Sequence, residues 1–163
     1  MVSLRQATAG DVAQMVALDQ TLFGDYGAAE DPAVIAARLA VFPEGCVVLV
    51  ATPPATTPLL GYLTTEKWHT LREPALDEDP RVTHQPAGTI LNITTLAVAP
   101  THQQRGLGAQ LLAYAMTLAR HQACTAIVLE TARAVRFYER HGFVKHGERR
   151  QRAILLHIMA YTL

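Results

Sequence analysis

The feature that most constrains the fold is the order of elements that the sequence predicts after Gly88. Apolar periodicity predicts a strand over residues 89–98, a helix over 106–121, a strand over 126–130 and a helix over 132–141. Strands that alternate with helices in this way are typical of an α/β domain. The second half of the chain is therefore predicted to be a βαβα unit.

The remaining segments extend this unit at both ends. Two amphipathic helices are predicted after Thr8 and after Asp31-Pro32. The proline- and threonine-rich link from Thr52 to Pro58 is interpreted as a hairpin connection. Residues 69–87 carry three prolines and no sustained period, which predicts a long loop that is either functional or simply solvated. Further strands are predicted over residues 2–6, 46–51, 59–65, 143–149 and 153–161.

Size and composition fit one compact domain, which we predict to span residues 1–163. The 14 Lys and Arg residues balance 14 Asp and Glu residues, so no net charge favours binding to nucleic acid or a membrane. Cys46 and Cys124 lie beside apolar residues at no metal-binding spacing, which favours reduced core thiols and no metal site. No signal peptide or membrane span is recognisable, and a cytoplasmic monomer or homodimer is expected.

The segment Gln103-Gln104-Arg105-Gly106-Leu107-Gly108 is predicted to bind phosphate at the start of a helix. Its two glycines follow an apolar strand, where free backbone N–H groups can bind an anion and glycine admits close approach. Its arginine adds positive charge, and its first glutamine could brace the turn. Leu111 occupies the place of the third glycine in a dinucleotide fingerprint, which argues against that alternative. The glycines could also serve only the packing of helix on sheet.

A second motif, Ala134-Val135-Arg136-Phe137-Tyr138-Glu139-Arg140-His141-Gly142-Phe143, follows the turn by about thirty residues and ends at a helix-breaking glycine. Together with the strand end Leu96-Ala97-Val98-Ala99-Pro100 and the glycine turn, it resembles the GCN5-related N-acetyltransferase (GNAT) superfamily in order and spacing. The resemblance implies an α/β fold (α+β in some schemes) with a mixed central sheet. About six to seven strands, flanked by about four helices, would splay at the fourth and fifth strands.

In that superfamily the glycine turn binds the pyrophosphate of coenzyme A, and the strand before it binds the pantetheine arm. Thr131 stands where many members have an asparagine that contacts the coenzyme, and it is a further candidate. By position, the resemblance implies that acetyl-CoA is bound by Leu96, Ala97, Val98, Gln103, Gln104, Arg105, Gly106, Leu107, Gly108, Ala109 and Tyr138.

A narrower resemblance links the chain to the arylalkylamine N-acetyltransferase branch, through Phe42-Pro43-Glu44, Gly61 to Trp68, His84-Gln85-Pro86-Ala87-Gly88 and Leu96-Ala97-Val98. In that branch, two histidines two residues apart on the fourth strand help to remove the amine proton. Asn92 and Thr94 occupy those places here, so the usual base is missing. The pair could instead hold a water that passes the proton to solvent, and His84, His102 and Glu66 are alternative bases.

The chemistry requires a neutral amine, a stabilised oxyanion and an acid for the departing thiolate. Tyr138 is predicted to be that general acid, although it could also be an interface tyrosine packed on Phe137. Backbone N–H groups near Leu96 to Val98 could stabilise the oxyanion. Trp68 and the acidic residues Asp77 and Glu78 are predicted to attract a cationic amine, unless these charges only keep a loop in water.

The sequence thus predicts an acetyl-CoA-dependent N-acetyltransferase that needs no metal. Its acceptor is expected to be the primary amine of a small molecule, arylalkylamine or polyamine-like, which attacks the thioester directly. A non-catalytic coenzyme A sensor is the first alternative, because the strand base is missing. Acetylation of protein amino groups is the second, and it would favour an open groove, whereas residues 69–87 are long enough to cover one.

Overall fold

The computed structural model describes residues 1–52 and 59–163. Within them, seven strands form one mixed sheet in the order β1-β2-β3-β4-β5-β7-β6, and five α-helices surround it. The strands are β1 (Val2–Gln6), β2 (Val47–Ala51), β3 (Gly61–Trp68), β4 (Ile90–Val98), β5 (Ala126–Thr131), β6 (Val144–Gln151) and β7 (Ile154–Thr162). The helices are α1 (Val12–Phe23), α2 (Pro32–Val41), α3 (Pro80–Thr83), α4 (Leu107–His121) and α5 (Val135–Arg140). This architecture confirms the predicted fold class.

A side chain caps the start of α2, as the sequence predicts, whereas Thr8 precedes a 3-10 turn (Ala9–Asp11) and α1 begins only after it. The Thr8 N–H donates to Asp11 Oδ2 at 2.8 Å, and the Arg5 guanidinium donates to both oxygens of the same carboxylate. Asp31 Oδ1 accepts the Ala33 N–H at 2.9 Å, and Pro32 takes the first helical position. The predicted hairpin link falls on residues 53–58, outside the described residues, although β2 and β3 do pair antiparallel.

Two sequence predictions are wrong in their bounds. The loop over residues 69–87 contains the short helix α3, because Asp79 Oδ1 accepts the Arg81 N–H at 3.0 Å and caps its start. Four residues are too few to produce a period that sequence analysis could detect. The helix predicted from residue 132 begins only at Val135, because Thr131 Oγ1 accepts the Ala134 N–H at 3.0 Å and holds the preceding residues in a turn.

The two faces of the sheet carry different cores. One face, which we call the back face, packs against α4 through the largest apolar cluster, including Leu63, Leu91, Leu111, Ile127 and Met159. The opposite, front face carries two smaller clusters. One packs against α1 and α2 and includes Met15, Ile35, Val48, Tyr62 and Ala97. The other contains Trp68, Ile90 and Val128.

Between the two front-face clusters lies a polar seam. Along β3, Thr64 and Glu66 separate Tyr62 of one cluster from Trp68 of the other, because alternate residues of a strand share a face. Asn92 and Thr95 separate Ile90 from Ala97 on β4 in the same way. Asp19, Glu30 and Arg38 complete the seam from the helical layer. All these polar side chains are buried: Asp19, Glu30, Arg38, Thr64, Glu66, Asn92 and Thr95.

A β-bulge lies in the middle of this seam. Thr64 pairs with Thr95 and Thr65 pairs with Ile93, so Thr94 is an extra residue on β4. The hydroxyls of Thr94 and Thr64 share a hydrogen bond of 2.6 Å, and Thr95 Oγ1 donates to Glu30 Oε1 at 2.8 Å. The bulge therefore turns two consecutive threonines toward the front face, which a regular strand could not do.

Strands β4 and β5 run parallel but pair over only three residues each. Ile90 to Asn92 pair with Ala126 to Val128, whereas β4 continues to Val98 and β5 to Thr131. Beyond this point the strands separate, and the backbone groups facing the gap are open to a ligand. The predicted splay between the fourth and fifth strands is therefore confirmed.

Both cysteines are buried in the core, as predicted. Cys46 belongs to the α1/α2 front-face cluster and Cys124 to the back-face cluster. Neither forms a disulfide within the described residues, and burial raises the pKa of both thiols, that of Cys46 to about 12. In residues 1–52 and 59–163, no helix is long and apolar enough to cross a membrane, and no cluster of His, Cys, Asp and Glu could hold a metal ion.

Candidate active site

A cavity of about 980 Å³ fills the gap between β4 and β5. The turn before α4 borders it at one end, and the polar seam borders it at the other. Residues 74–76 of the long loop form part of its wall. Its volume lies at the upper end of the range for ligand pockets, roughly 300–1,000 Å³, so it can hold a large ligand. Most of the predicted site residues are brought together here.

The glycine turn adopts a conformation suited to an anion. Gly106 precedes α4 with φ +79°, a left-handed conformation that favours glycine. A Cβ at this position would have no described atom within 4 Å, so the space beside it is open. Gln103 Nε2 donates to the Val98 carbonyl at 3.1 Å, so this side chain braces the turn. Gly108 is different, because a Cβ there would lie 3.4 Å from Phe137. Gly108 therefore serves the packing of α4 against Phe137, whereas Gly106 is required by the left-handed backbone of the turn.

Most residues assigned to the coenzyme by resemblance line this cavity: Leu96, Val98, Gln103, Gln104, Gly106, Gly108, Ala109, Thr131 and Tyr138. The side chains of Ala97 and Leu107 are instead buried in the core, so any ligand contact from them would come from the backbone. Arg105 is exposed on the turn and does not line the cavity. Three arginines that sequence analysis did not single out, Arg133, Arg136 and Arg140, do line it. The sequence signal that could have identified them is their spacing of three and four residues, which is typical of side chains that share one side of a helix.

Tyr138 lies on the cavity wall in α5 and is 6% exposed. Its ring makes edge contacts with Phe137 and Phe143, at centroid distances of 5.0 and 5.5 Å. Within the described residues its hydroxyl has no hydrogen-bond partner, and burial raises the pKa of this hydroxyl well above its usual value. Tyr138 is therefore both packed at an interface and directed to the cavity, and its hydroxyl is protonated at neutral pH.

The helical part of the polar seam forms a hydrogen-bonded cluster beside the cavity. Arg38 forms a buried ion pair with Glu30, and both residues line the cavity. Asp19 Oδ2 accepts the Glu30 N–H at 2.8 Å, and Asp19 Oδ1 accepts the Tyr62 hydroxyl at 3.1 Å. Burial, and secondarily the charge of Glu30, raises the pKa of Asp19 to about 6. Sequence analysis missed this cluster, because its members share no motif.

Two buried polar groups in the cavity wall have no hydrogen-bond partner within the described residues. They are Asn92 Oδ1 and the Arg38 guanidinium at Nε and Nη1, on residues that are each 4% exposed. Because Nη1 touches Glu30 in the ion pair, we regard Nε as the free donor. Asn92 also occupies the last position at which β4 pairs with β5. Thr94 lines the cavity next to it, so the structure does bring Asn92, Thr94 and Tyr138 to one site.

The alternative bases lie outside the cavity. His84 is buried, its Nδ1 accepts the Lys67 N–H at 3.1 Å, and its ring stacks on Phe42 at 4.7 Å. Burial, and secondarily Lys67, lowers the pKa of this imidazole. Glu66 accepts hydrogen bonds from Trp68 Nε1 and Thr83 Oγ1, at 2.9 and 2.7 Å. These two side chains are committed to structural contacts; His102 contacts the neighbouring Thr101 hydroxyl.

The residues predicted to attract a cationic amine also lie away from this cavity. Trp68 is buried, and the Arg72 guanidinium stacks 3.8 Å from its ring centroid. Arg72 in turn makes two hydrogen bonds to the Glu78 carboxylate, at 2.8 and 2.5 Å. Asp77 Oδ1 accepts the Asp31 N–H at 2.8 Å. Trp68 and Glu78 border a smaller, separate cavity of about 350 Å³, and their cationic partner is an arginine of the same chain.

Comparison with known proteins agrees with this geometry. Residues 75–145 match the sequence model of the family described as "Acetyltransferase (GNAT) domain", and this range includes both the glycine turn and Tyr138. No match was found among curated proteins. Many solved structures share the fold. The loading GNATL domain of CurA from Lyngbya majuscula has a TM-score of 0.84 at 16% identity, over 99% of this chain and 98% of that chain.

Two further structures align over nearly the full length. Ard1 from Thermoplasma volcanium has a TM-score of 0.77 at 18% identity, over 99% of this chain and 97% of that chain. Arabidopsis thaliana Naa50, in complex with the bisubstrate analogue CoA-Ac-MVNAL, has a TM-score of 0.75 at 16% identity, over 99% of both chains. At these identities the likeness shows the fold.

Residues 75–145 therefore match the GNAT acetyltransferase domain family, and the described residues share the fold of these solved structures. The narrower resemblance to the arylalkylamine branch is not confirmed and stays a prediction.

Proposed function

We propose that this protein is an acetyl-CoA-dependent N-acetyltransferase that acts on the primary amine of a small molecule. The carrying observation is the gap between β4 and β5, with an anion-binding helix start at one end and buried polar side chains at the other. Acetyl-CoA is a long, thin molecule with its phosphates at one end and its thioester at the other, so its groups match the two ends of this gap. The whole chain, residues 1–163, would act as one catalytic domain.

The coenzyme would lie along the gap with its pyrophosphate at the start of α4. Free backbone N–H groups from Gly106 to Ala109 would bind it, and no acidic residue occupies the first turn of this helix. Arg136 and Arg140 would add positive charge from α5. The pantetheine arm would pass between Thr131 and the open edge of Leu96 to Val98, and an N–H of that edge would face the oxyanion.

Tyr138 would protonate the departing thiolate. Its raised pKa keeps the proton in place, although it also makes the hydroxyl a weaker acid than an exposed tyrosine. The same apolar surroundings disfavour a thiolate and raise its basicity, so the two groups become matched for proton transfer. The amine would attack the thioester directly, with no covalent enzyme intermediate and no metal.

Asn92 and Thr94 would hold the water that takes the amine proton. Both line the cavity beside the acyl end of the gap, and the Thr94 hydroxyl is already oriented by Thr64. A neutral amide and hydroxyl do not titrate near neutral pH, so they cannot trap the proton themselves. Much of the rate would come from holding amine and thioester together.

The cavity wall formed by Pro74, Ala75 and Leu76 supports a small acceptor rather than a protein side chain in an open groove. The cytoplasm would supply the acetyl-CoA. A coenzyme A sensor is the second candidate, because among the described residues that line the cavity the carboxylates, Glu30 and Glu130, are each paired with an arginine and no histidine is present.

Release of free thiol from acetyl-CoA, measured against a panel of primary amines, tests the proposal. We expect turnover, and we expect Tyr138→Phe to lower kcat by about 100-fold or more, as loss of a general acid does. Tyr161→Phe is the matched control, because that ring packs on Phe143 outside the cavity. Coenzyme A binding without turnover on any amine would favour the sensor. Equal kcat for Tyr138→Phe and Tyr161→Phe would refute the acid role.

A further inference from the structure

Two unpartnered groups in the cavity wall specify the acceptor more closely. We propose that the acceptor is an α-amino amide, in which a neutral carbonyl is bonded to the carbon that carries the amine. The amine N–H would donate to Asn92 Oδ1, and the carbonyl oxygen would accept from Arg38 Nε. This inference rests on the proposed function and names its substrate class.

An α-amino amide is complementary in hydrogen bonding to both unpartnered groups. Buried polar atoms are nearly always paired in folded proteins, so a free acceptor and a free donor in one cavity point to a ligand that satisfies both. Asn92 Oδ1 needs an N–H, which a neutral amine supplies while its lone pair stays free to attack. Arg38 Nε needs an oxygen. An α-amino amide carries both groups.

Both groups lie near the same stretch of β4. Arg38 is paired with Glu30, which accepts a hydrogen bond from Thr95, three residues from Asn92. An α-amine and its carbonyl oxygen lie about 3 Å apart, and a hydrogen bond of about 2.9 Å at each end lets such a ligand join groups up to about 9 Å apart.

The acidic side chains around Arg38 favour a neutral carbonyl over a carboxylate as its ligand. Glu30 already neutralises Arg38, and Asp19 is close to both residues, with its Oδ2 accepting the Glu30 N–H. A carboxylate at Arg38 Nε would face both acidic side chains and only one cation. A neutral oxygen takes the same hydrogen bond without that repulsion. A simple alkylamine would leave Arg38 Nε unpaired.

The amide chemistry could belong to a free amino-acid amide or to a peptide N terminus. The wall formed by residues 74–76 favours the small molecule. Both sources present the same amine and carbonyl, so they are separate arms of one experiment.

The wild-type protein and acetyl-CoA test the inference with a matched series: L-alaninamide, L-alanine, 2-aminopropane and an alanine tetrapeptide amide. The first three differ only in the group beside the amine-bearing carbon, which is amide, carboxylate or methyl. Thiol release is compared as kcat/KM per concentration of neutral amine. We expect L-alaninamide to exceed both L-alanine and 2-aminopropane by at least about tenfold. A tetrapeptide faster than L-alaninamide would assign the amide to a peptide N terminus and keep the recognition chemistry.

Substitutions test which side chains read the amide. Arg38→Lys keeps the charge opposite Glu30 but removes Nε, and it should lower kcat/KM for L-alaninamide by about tenfold and for 2-aminopropane by less than about twofold. Each ligand is compared with itself, so differences in amine basicity cancel. Asn92→Leu should reduce turnover of every amine, whereas Asn92→Asp, which keeps an acceptor oxygen, should restore it. Arg81→Lys is the control, because Arg81 is exposed in α3 and does not line this cavity. Circular dichroism and coenzyme A binding verify folding.

The outcomes separate this inference from the proposed function. Turnover of 2-aminopropane or L-alanine at a rate equal to or above that of L-alaninamide would overturn the inference and leave the acetyltransferase intact. An equal loss on all ligands in Arg38→Lys would also overturn it, since the arginine would then be structural only. Coenzyme A binding without thiol release from any amine would overturn both.

Discussion

Two acidic clusters of this protein behave in opposite ways. Asp77, Glu78 and Asp79 are adjacent in the sequence, and each is engaged by a partner near the surface of the long loop. Asp19 and Glu30 lie eleven residues apart, and they meet in the buried polar seam beside the cavity. The first cluster is visible in the sequence and does not reach the large cavity. The second is invisible in the sequence and borders it.

This difference shows that the number of charged residues in a stretch of sequence does not predict the electrostatic field inside a cavity. Adjacent acids on a loop are solvated and screened, and they attract local arginines such as Arg72 and Arg81. Acids that converge from separate elements lose water, and their interactions with neighbouring charges become stronger.

The largest expected effect is on stability. Glu30→Ala removes one partner of a buried ion pair and leaves Arg38 uncompensated, which should lower the free energy of unfolding by about 3–5 kcal/mol. Glu78→Ala removes the partner of the more exposed Arg72, and the loss should be about 1 kcal/mol or less. Urea denaturation of both variants measures the difference. Equal losses would mean that the buried pair is not special.

The next effect is a pH dependence of opposite sign in the two clusters. Burial raises the pKa of Asp19 from 3.8 to about 6. The folded protein therefore binds more protons between these values, so Asp19 makes the free energy of unfolding fall as pH rises through this window, by up to about 3 kcal/mol. Asp79 beside Arg81 has a lowered pKa, so its contribution is instead lost as pH falls.

Urea unfolding from pH 4 to pH 7 should therefore show a downward slope in the wild type that Asp19→Asn abolishes. Asp79→Asn serves as the control and should leave that slope in place. A wild-type curve identical in shape to that of Asp19→Asn would show that Asp19 titrates like an exposed carboxyl.

A smaller loss is expected at the link between the seam and the sheet. Thr95→Val keeps the shape of the side chain but removes the hydroxyl that donates to Glu30, which should cost about 1–2 kcal/mol. Thr21→Val is the matched control, because within the described residues the exposed Thr21 hydroxyl bonds only to the Ala17 carbonyl of its own helix. Differential scanning calorimetry compares the two, and a milder effect at Thr95 would contradict the role given to its hydroxyl.

The smallest effect is expected for the loop acids. A variant with Asp77→Asn, Glu78→Gln and Asp79→Asn should change the KM for amine acceptors by less than about twofold, because exposed charges are weakly coupled across a screening solvent. The measurement is initial rate against acceptor concentration at low and high salt. A strongly raised, salt-dependent KM would return the loop to the acceptor site.

The residues at the glycine-turn end of the cavity could be grouped from the sequence because they are close in the chain. The glycine turn follows β4 directly, and Tyr138 lies in the same βαβα unit, so local order places both at the mouth of the gap. The end of the cavity at the polar seam was not predicted, because Asp19 and Arg38 come from the first two helices, Glu30 comes from the segment between them, and all three meet β4 only through tertiary packing. His84 was a candidate base because of its residue type, whereas in the structure its ring packs on Phe42.

The bulge at Thr94 has a consequence for how this strand can evolve. Before it, the even-numbered Asn92 faces the front of the sheet, and after it the odd-numbered Thr95 and Ala97 do. Deleting Thr94 would restore strict alternation and leave Leu96 and Ala97 on their present sides, because the residues on either side of the bulge would keep their partners on β3. Only the second threonine that faces the front would be lost. At this point the strand can therefore lose one residue without turning any side chain that leads into the glycine turn.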